Sequence, residues 1–325
     1  VLTSTGETFR QKSWSAFVED EWHITDAVAL TVGSRYEHHE VFGGHLSPRA
    51  YMVWDVADEW TLKGGVTTGY KAPGMGQLHK GISGVSGQGR TNLLGNPDLK
   101  PEESVSYEAG VYYDNHAGLN ANITGFMTEF SNKIVSYSID DNTRSYTNSG
   151  KARTQGVEFA GTLPLWSEDV TLSLNYTWTQ SEQRDGDNKG APLSYTPEHM
   201  VNAKLNWQIT EDVSSWLGAR YRGKTPRFTQ NYSSLSAVQK KVYDEKGEYL
   251  KAWTVLDAGM SWKVTDALTL NAAVNNVLNK DYSDVSLYRA GSGTLYAGDY
   301  FQTGASTTGY VIPERNYWMS LSYQF

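Results

Sequence analysis

The sequence contains no cysteine in 325 residues. That removes disulfides, zinc-thiolate centres and thiol nucleophiles together. No stretch approaches the roughly 18 consecutive apolar residues of a membrane-crossing helix, and the mean hydropathy is negative, so a helical membrane protein is excluded. A basic surplus is also missing. The net charge is −8, whereas phosphate binding needs a concentrated basic face, which argues against a nucleic-acid binder. Enzyme signatures are absent: there is no glycine-rich phosphate loop after a strand, no G-x-S-x-G elbow and no H-E-x-x-H. Paired acids such as Asp140 with Asp141, or Asp185 with Asp187, read as turn chemistry. The chain opens VLTSTGETFRQK, with neither an initiating Met nor the apolar core of a signal peptide. The expectation is that an amino-terminal part precedes Val1.

What is present is apolar surface spread thin. The chain is 39% hydrophobic and 13% aromatic, with 31 Gly, 21 Tyr and 11 Trp. These residues alternate with polar ones. In the closing stretch, Tyr317, Met319, Leu321, Tyr323 and Phe325 alternate with Trp318, Ser320, Ser322 and Gln324. Val170, Leu172, Leu174, Tyr176 and Trp178 do the same against Thr171, Ser173, Asn175 and Thr177. Period two marks a strand with one apolar face. Such segments begin at about 14, 28, 46, 60, 104, 119, 151, 169, 199, 213, 252, 267 and 316. Each is roughly ten residues long, the length a tilted strand needs to cross a bilayer.

Tight turns fall near 25–26, 57–59, 116–118, 167–169, 210–212 and 265–266, and longer loops near 41–46, 73–103, 135–150, 180–197, 224–251 and 280–315. Short and long alternate, as in an outer-membrane barrel with short periplasmic turns and long extracellular loops. Trp54, Trp60, Trp166, Trp207 and Trp262 lie within a few residues of the short turns, the place of an interfacial aromatic girdle. The fold class is therefore all-β, an antiparallel transmembrane β-barrel of about thirteen strands. An odd count cannot close a cylinder, so the barrel is incomplete and the further strands are expected ahead of Val1. A soluble sandwich or propeller is the alternative, although no repeat of about 40 to 50 residues is visible.

Three stretches resemble the TonB-dependent outer-membrane receptors: LNAAVNNVLNKDY (270–282), SPRAYMVWDVADEWTLKGGVTTGYKAP (47–73) and GNPDLKPEESVSYEAGV (95–111). The likeness runs from about residue 14 to 325. Further segments, 76–89, 175–209 and 220–253, resemble the branch of catecholate siderophore receptors that also serve group I colicins. The resemblance implies a barrel of about 22 strands with an amino-terminal plug. Residues 1–325 would then be the barrel part only, about strands ten to twenty-two, with the plug and TonB box outside this chain. It also implies a ferric catecholate as transported ligand with no permanently bound cofactor, and energy from TonB–ExbB–ExbD. Further implications are insertion by the barrel assembly machinery, a place in outer-membrane lipid and, as alternatives, a haem receptor, a passive porin or an adhesive barrel.

By alternation, Arg35, Arg49, Lys63, Lys204, Arg220 and Arg222 fall on the polar half of their strands, as do Glu37, Glu108, Glu158 and Asp257. Two readings stay open for this set: a positive funnel for an anion, or ion pairs holding wall and plug together. Ferric catecholates are anionic and flat-ringed, so they suit Arg or Lys beside aromatic faces. The loops supply Lys80, Arg90, Arg144 with Tyr146, Arg184, Lys189 with Tyr195, Arg227 with Phe228, Tyr232, and Arg289 beside Tyr288. His79, between YKAP and NPDLKPE, is the candidate iron ligand under the haem alternative. His38, His39 and His45 read as surface residues, since neighbours in a strand point to opposite faces. Tyr317, Met319, Leu321, Tyr323 and Phe325 resemble the terminal signal of the barrel assembly machinery, on a strand expected to be an open edge.

Overall fold

The computed structural model describes residues 10–325 except 87, 88, 90, 141, 149, 187, 194, 195, 292, 301 and 304–311. Thirteen strands form one sheet: Ser13–Thr25, Val28–His39, Gly43–Ala57, Trp60–Lys71, Glu102–Asp114, Asn120–Ser131, Ala152–Leu165, Val170–Gln183, His199–Gln208, Val213–Arg222, Trp253–Thr265, Leu268–Asn275 and Asn316–Tyr323. Each pairs antiparallel with its neighbours in chain order. The first and last strands are the two free edges, so the expected open edge at 316–323 is observed.

Register turns sequence alternation into a two-faced wall. Residues directly opposite in an antiparallel pair share a face. Following one row across the middle strands links Leu163, Leu172, Leu205, Leu217, Ala258 and Val274. The row beside it links Thr162, Ser173, Lys204, Gly218 and Asp257, and a further row of the same face, nearer the loops, links Glu158, Thr177, Met200, Arg222 and Trp253. One face is therefore apolar along the whole sheet and the other largely polar. A soluble sheet would cover its apolar face with a second layer. Here Met52, Ile123, Leu163, Leu217 and Met260 lie exposed on it, as do Trp54, Trp60, Trp207 and Trp262 near the short turns. Trp60 packs on Tyr113 with ring centroids 4.7 Å apart. That is the surface a bilayer covers, with its aromatic girdle in place.

The wall has no interior of its own; the buried apolar residues of the described chain sit largely in the loops. Phe228, Leu235, Val238, Val242, Tyr288 and Ala297 make one cluster, and Val255, Tyr282 and Ile312 make another at a loop root. Two expectations are corrected. The longer loop at 41–46 is a tight turn, because pairing with the second strand continues to His39↔Gly43. Gly43 there adopts φ +72°, and His39 Nδ1 accepts the Val41 N–H at 3.2 Å. The closing strand stops at Tyr323, although Gln324 N–H still donates to Ala267 O at 2.9 Å.

Leu217 stands midway along its strand on the apolar face. Leu217→Arg is expected to destabilise the whole receptor in lipid vesicles by about 2–4 kcal/mol. Asn202→Arg, on the polar face, is expected to stay within about 1 kcal/mol of wild type; denaturant unfolding of both checks the assignment of faces.

Candidate ligand-binding loops and the polar wall

On the polar face Arg35, Arg49 and Arg220 are paired with carboxylates. Arg35 lies 3.6 Å from Glu37 and donates to Ser15 Oγ, Arg49 lies 3.2 Å from Glu19, and Arg220 donates to Asp257 Oδ2 at 3.0 Å. Arg222 is half-buried and reaches Thr225 Oγ1 at 3.4 Å. The two lysines differ. Lys63 stands over the Tyr112 ring at 4.3 Å and Lys204 over the Trp216 ring at 5.3 Å.

Asp257 also fixes the root of the last loop. Its Oδ1 accepts the Asn276 N–H at 2.9 Å, and Asn276 sits in the left-handed region at φ +50°. The Asn276 side chain donates to Lys280 O and Pro313 O and accepts Lys280 N–H, pinning both ends of that loop. Tyr282, fully buried, donates its hydroxyl to Thr254 O and packs edge-on against Tyr300. The N-N-V-L-N-K-D-Y stretch is thus an anchor.

Beyond the wall the loops fold into two bodies. The first joins loops 72–101 and 132–151 in a four-stranded sheet of Ile82–Ser86, Thr91–Leu94, Thr143–Asn148 and Ile134–Asp140. Asn148 ties its base, donating to Lys100 O and Asn132 O and accepting Lys100 N–H. Asn96 Nδ2 donates to Tyr146 O at 2.9 Å. Arg144 and Tyr146 occupy alternate positions of one strand and so share a face. Arg144 Nε is buried without a hydrogen-bond partner among the described residues.

The second body packs loop 223–252 against loop 276–315. Helix Ala237–Lys246 begins at a capping box, with Ser236 Oγ accepting Gln239 N–H and the Gln239 side chain accepting Ser236 N–H. It rests on the hairpin of Ser286–Ala290 and Gly293–Ala297 through Val238 and Val242. Arg227 is buried and donates to Gly247 O, Gly298 O and Tyr249 O. Burial pushes its guanidinium pKa down. Lys246 and Lys251 both donate to Asp299, lowering its carboxyl below the ordinary aspartate value and raising both ammonium groups. Loop 184–198 joins this body through Gln183 Nε2 to Thr229 O and Asn231 N–H to Asn188 Oδ1.

The other candidates distribute unevenly. Phe228 lies with Arg227 inside the second body, where both hold the loop. Tyr232 is exposed, donates to the Asp244 carboxylate, which pushes its own pKa up, and lies beneath Lys240 at 5.6 Å. Arg289 and Lys80 are exposed, and Arg184 pairs with Glu182 at 3.0 Å. His79 caps the short helix Met75–Leu78, its N–H donating to Met75 O, with its main chain against Gly95. His38 stacks on Trp14 and His45 on Tyr70 at 4.2 Å, whereas His39, expected at the surface, is buried, with its ring tilted against Phe42 and its Nδ1 accepting the Val41 N–H. No metal-holding cluster occurs among the described residues. Arg90, Tyr195, Asp141 and Asp187 lie outside the described residues. Sequence reasoning missed Lys240, Lys246, Lys251, Asp299 and Asn276; only the S-x-x-Q box at Ser236 gave a local signal for this body.

A sheet with one lipid-compatible face, a polar face and folded loops at one end defines a transmembrane β-barrel wall of the receptor type. The chain belongs to the TonB dependent receptor-like β-barrel family, whose sequence profile matches residues 3–277. Its place is the bacterial outer membrane. It is 35% identical over 324 residues to an iron-regulated outer membrane virulence protein of Vibrio cholerae, covering 96% of this chain and 44% of that protein. It is 29% identical over 330 residues to the ferrienterobactin receptor of Escherichia coli, covering 96% and 42%. The ferric enterobactin receptor of Pseudomonas aeruginosa superposes with a TM-score of 0.74 at 29% identity, covering 96% of this chain and 45% of that one. The chain thus spans less than half the length of the relatives it matches.

The Asp299 clip sets a pH signature. A carboxyl lowered on folding stabilises above its unfolded value and loses that contribution as pH falls through the folded value, here below 3.8. The two lysines, raised above 10.5, stabilise below that value and lose their share as pH rises beyond it. Amide protection in helix 237–246, taken relative to the intrinsic exchange rate at each pH, should hold between these limits and fall outside them. Asp299→Asn should show the acid-state exchange at neutral pH; unchanged protection would contradict the clip.

Proposed function

We propose that the whole receptor takes up ferric catecholate siderophores across the outer membrane. The observation that carries this reading is Arg144, a half-buried cation whose Nε has no partner among the described residues, held beside Tyr146 on a sheet that knits two loops together. Burying a guanidinium N–H without a partner is unfavourable, so the site favours an arriving anion. A flat, anionic ring suits both the fork of an arginine and the adjacent aromatic face. Support comes from the relatives: several are named ferric enterobactin receptors, and one Pseudomonas aeruginosa structure, at 28% identity, contains enterobactin.

Lys80, Tyr232 and Arg289 are exposed on the same loop bodies and extend the candidate surface. Arg227 and Phe228 support it from inside. The activity is transport, with no covalent chemistry and no resident cofactor. Residues 1–325 are read as the barrel part of a plugged receptor. TonB–ExbB–ExbD supplies energy to the whole receptor, the barrel assembly machinery inserts it by its terminal strand, and group I colicins use the same loops.

Arg144→Ala in the full-length receptor should weaken surface binding of ferric enterobactin at least about tenfold, the loss of one charge-assisted contact of 1.5–3 kcal/mol. Surface abundance should be unchanged. Wild-type binding by the variant would remove Arg144 from the site, and no binding by the wild type would remove the catecholate reading.

A further inference from the structure

The polar wall holds two kinds of cation. Arg35, Arg49 and Arg220 face carboxylates at 3.6, 3.2 and 3.0 Å, the last two across to other strands and Arg35 to Glu37 on its own. Lys63 and Lys204 have no carboxylate within ion-pair distance among the described residues; each stands instead over an aromatic ring, Tyr112 or Trp216. A single point charge over a ring is a compact, adaptable donor with most of its hydrogen-bonding capacity left.

The rings are set flat by the backbone around them. Trp216 lies across Gly259, where any Cβ would come within 2.6 Å of the indole, and it borders Gly218 on its own face. Tyr112 likewise borders Gly110, at 3.2 Å from a Cβ placed there. Both plates occupy the same level. Lys63 lies three residues in from Trp60 and Tyr112 two from Asp114, while Lys204 lies four from Gln208 and Trp216 three from Val213. At about 3.3 Å per residue this places them roughly 10 Å above the short-turn edge. The loops where a ligand would first land are at the opposite end. The two plates lie five strand spacings apart, about 24 Å around the wall, too far for one small ligand to bridge.

We propose that Lys63 with Tyr112 and Lys204 with Trp216 are two parallel low-affinity subsites, either of which a flat anionic aromatic ligand occupies on its way to the short-turn side. A catecholate ring packs against the half-buried aromatic while its oxygens meet the ammonium. The paired arginines cannot serve this purpose without leaving a carboxylate uncompensated. This rests on the catecholate reading, and it adds a second, transport-side role for residues remote from the loops.

The test uses the full-length receptor in iron-starved cells, with radioiron-labelled enterobactin as probe. Lys63→Ala/Lys204→Ala should bind the probe at the surface with wild-type affinity in de-energised cells, yet import it about fivefold more slowly. Lys63→Arg/Lys204→Arg, which keeps the charge over each ring, should restore import, and heat-modifiable mobility should show both barrels folded. Import at the wild-type rate by the alanine variant would overturn the proposal. So would a slowdown matched by lost surface binding or by a loosened barrel. Failure of the wild type to bind the probe would fault the catecholate reading itself, whereas intact binding with unaltered import faults only this inference.

Discussion

Every backbone N–H and C=O inside a bilayer must find its partner within the protein, and the rest of this structure depends on that constraint. Thirteen strands meet it within the sheet by pairing with their neighbours, from His39↔Ser13 at one end to Asn275↔Asn316 at the other, and leave only the outer rows of the two edge strands unpaired. Once the ladder fixes the strands, side chains divide by parity. The apolar half needs no second layer, because lipid supplies one. The buried apolar clusters consequently move to the loops, where Phe228, Val238, Val242 and Tyr288 pack as in a small soluble domain.

Joining those two regimes requires anchors. Asp257 serves both, accepting from Arg220 on the wall and from the Asn276 backbone at the loop root. Tyr282 then plugs the junction and reaches Thr254 O. A rigid root gives the loops a fixed platform, and the loops themselves are locked in groups: one by a shared sheet and Asn148, the other by a helix on a hairpin and the Lys246–Asp299–Lys251 clip. The proposed ligand-binding residues Arg144 and Tyr232 therefore ride on folded bodies, which would lower the ordering entropy lost on binding.

The wall was legible because its information is local and periodic. Strand starts read from alternation at 28, 60, 199, 213 and 316 coincide with Val28, Trp60, His199, Val213 and Asn316. The polar-face placement of Arg35, Arg49, Lys63, Lys204 and Arg220 followed from the same period. The loops were not legible, since their order comes from contacts distant in sequence. Arg227 with Phe228 resembles an exposed cation–aromatic pair in the chain, yet Gly298 O, far along the sequence, buries its guanidinium. The short turn after His39 was hidden for the opposite reason: Gly43 and Gly44 look like loop residues but pair as strand.

The central claim is that one face of the wall meets lipid and the other meets water. Residues 1–325 contain no cysteine, so single cysteines can be placed along Val213–Arg222 in the full-length receptor, with any cysteine outside this chain replaced, each carrying a fluorophore exposed to a lipid-borne quencher. Labels at 213, 215, 217, 219 and 221 should be quenched from the bilayer, and those at 214, 216, 218 and 220 should not. Uniform quenching, or none, would contradict the two-faced wall.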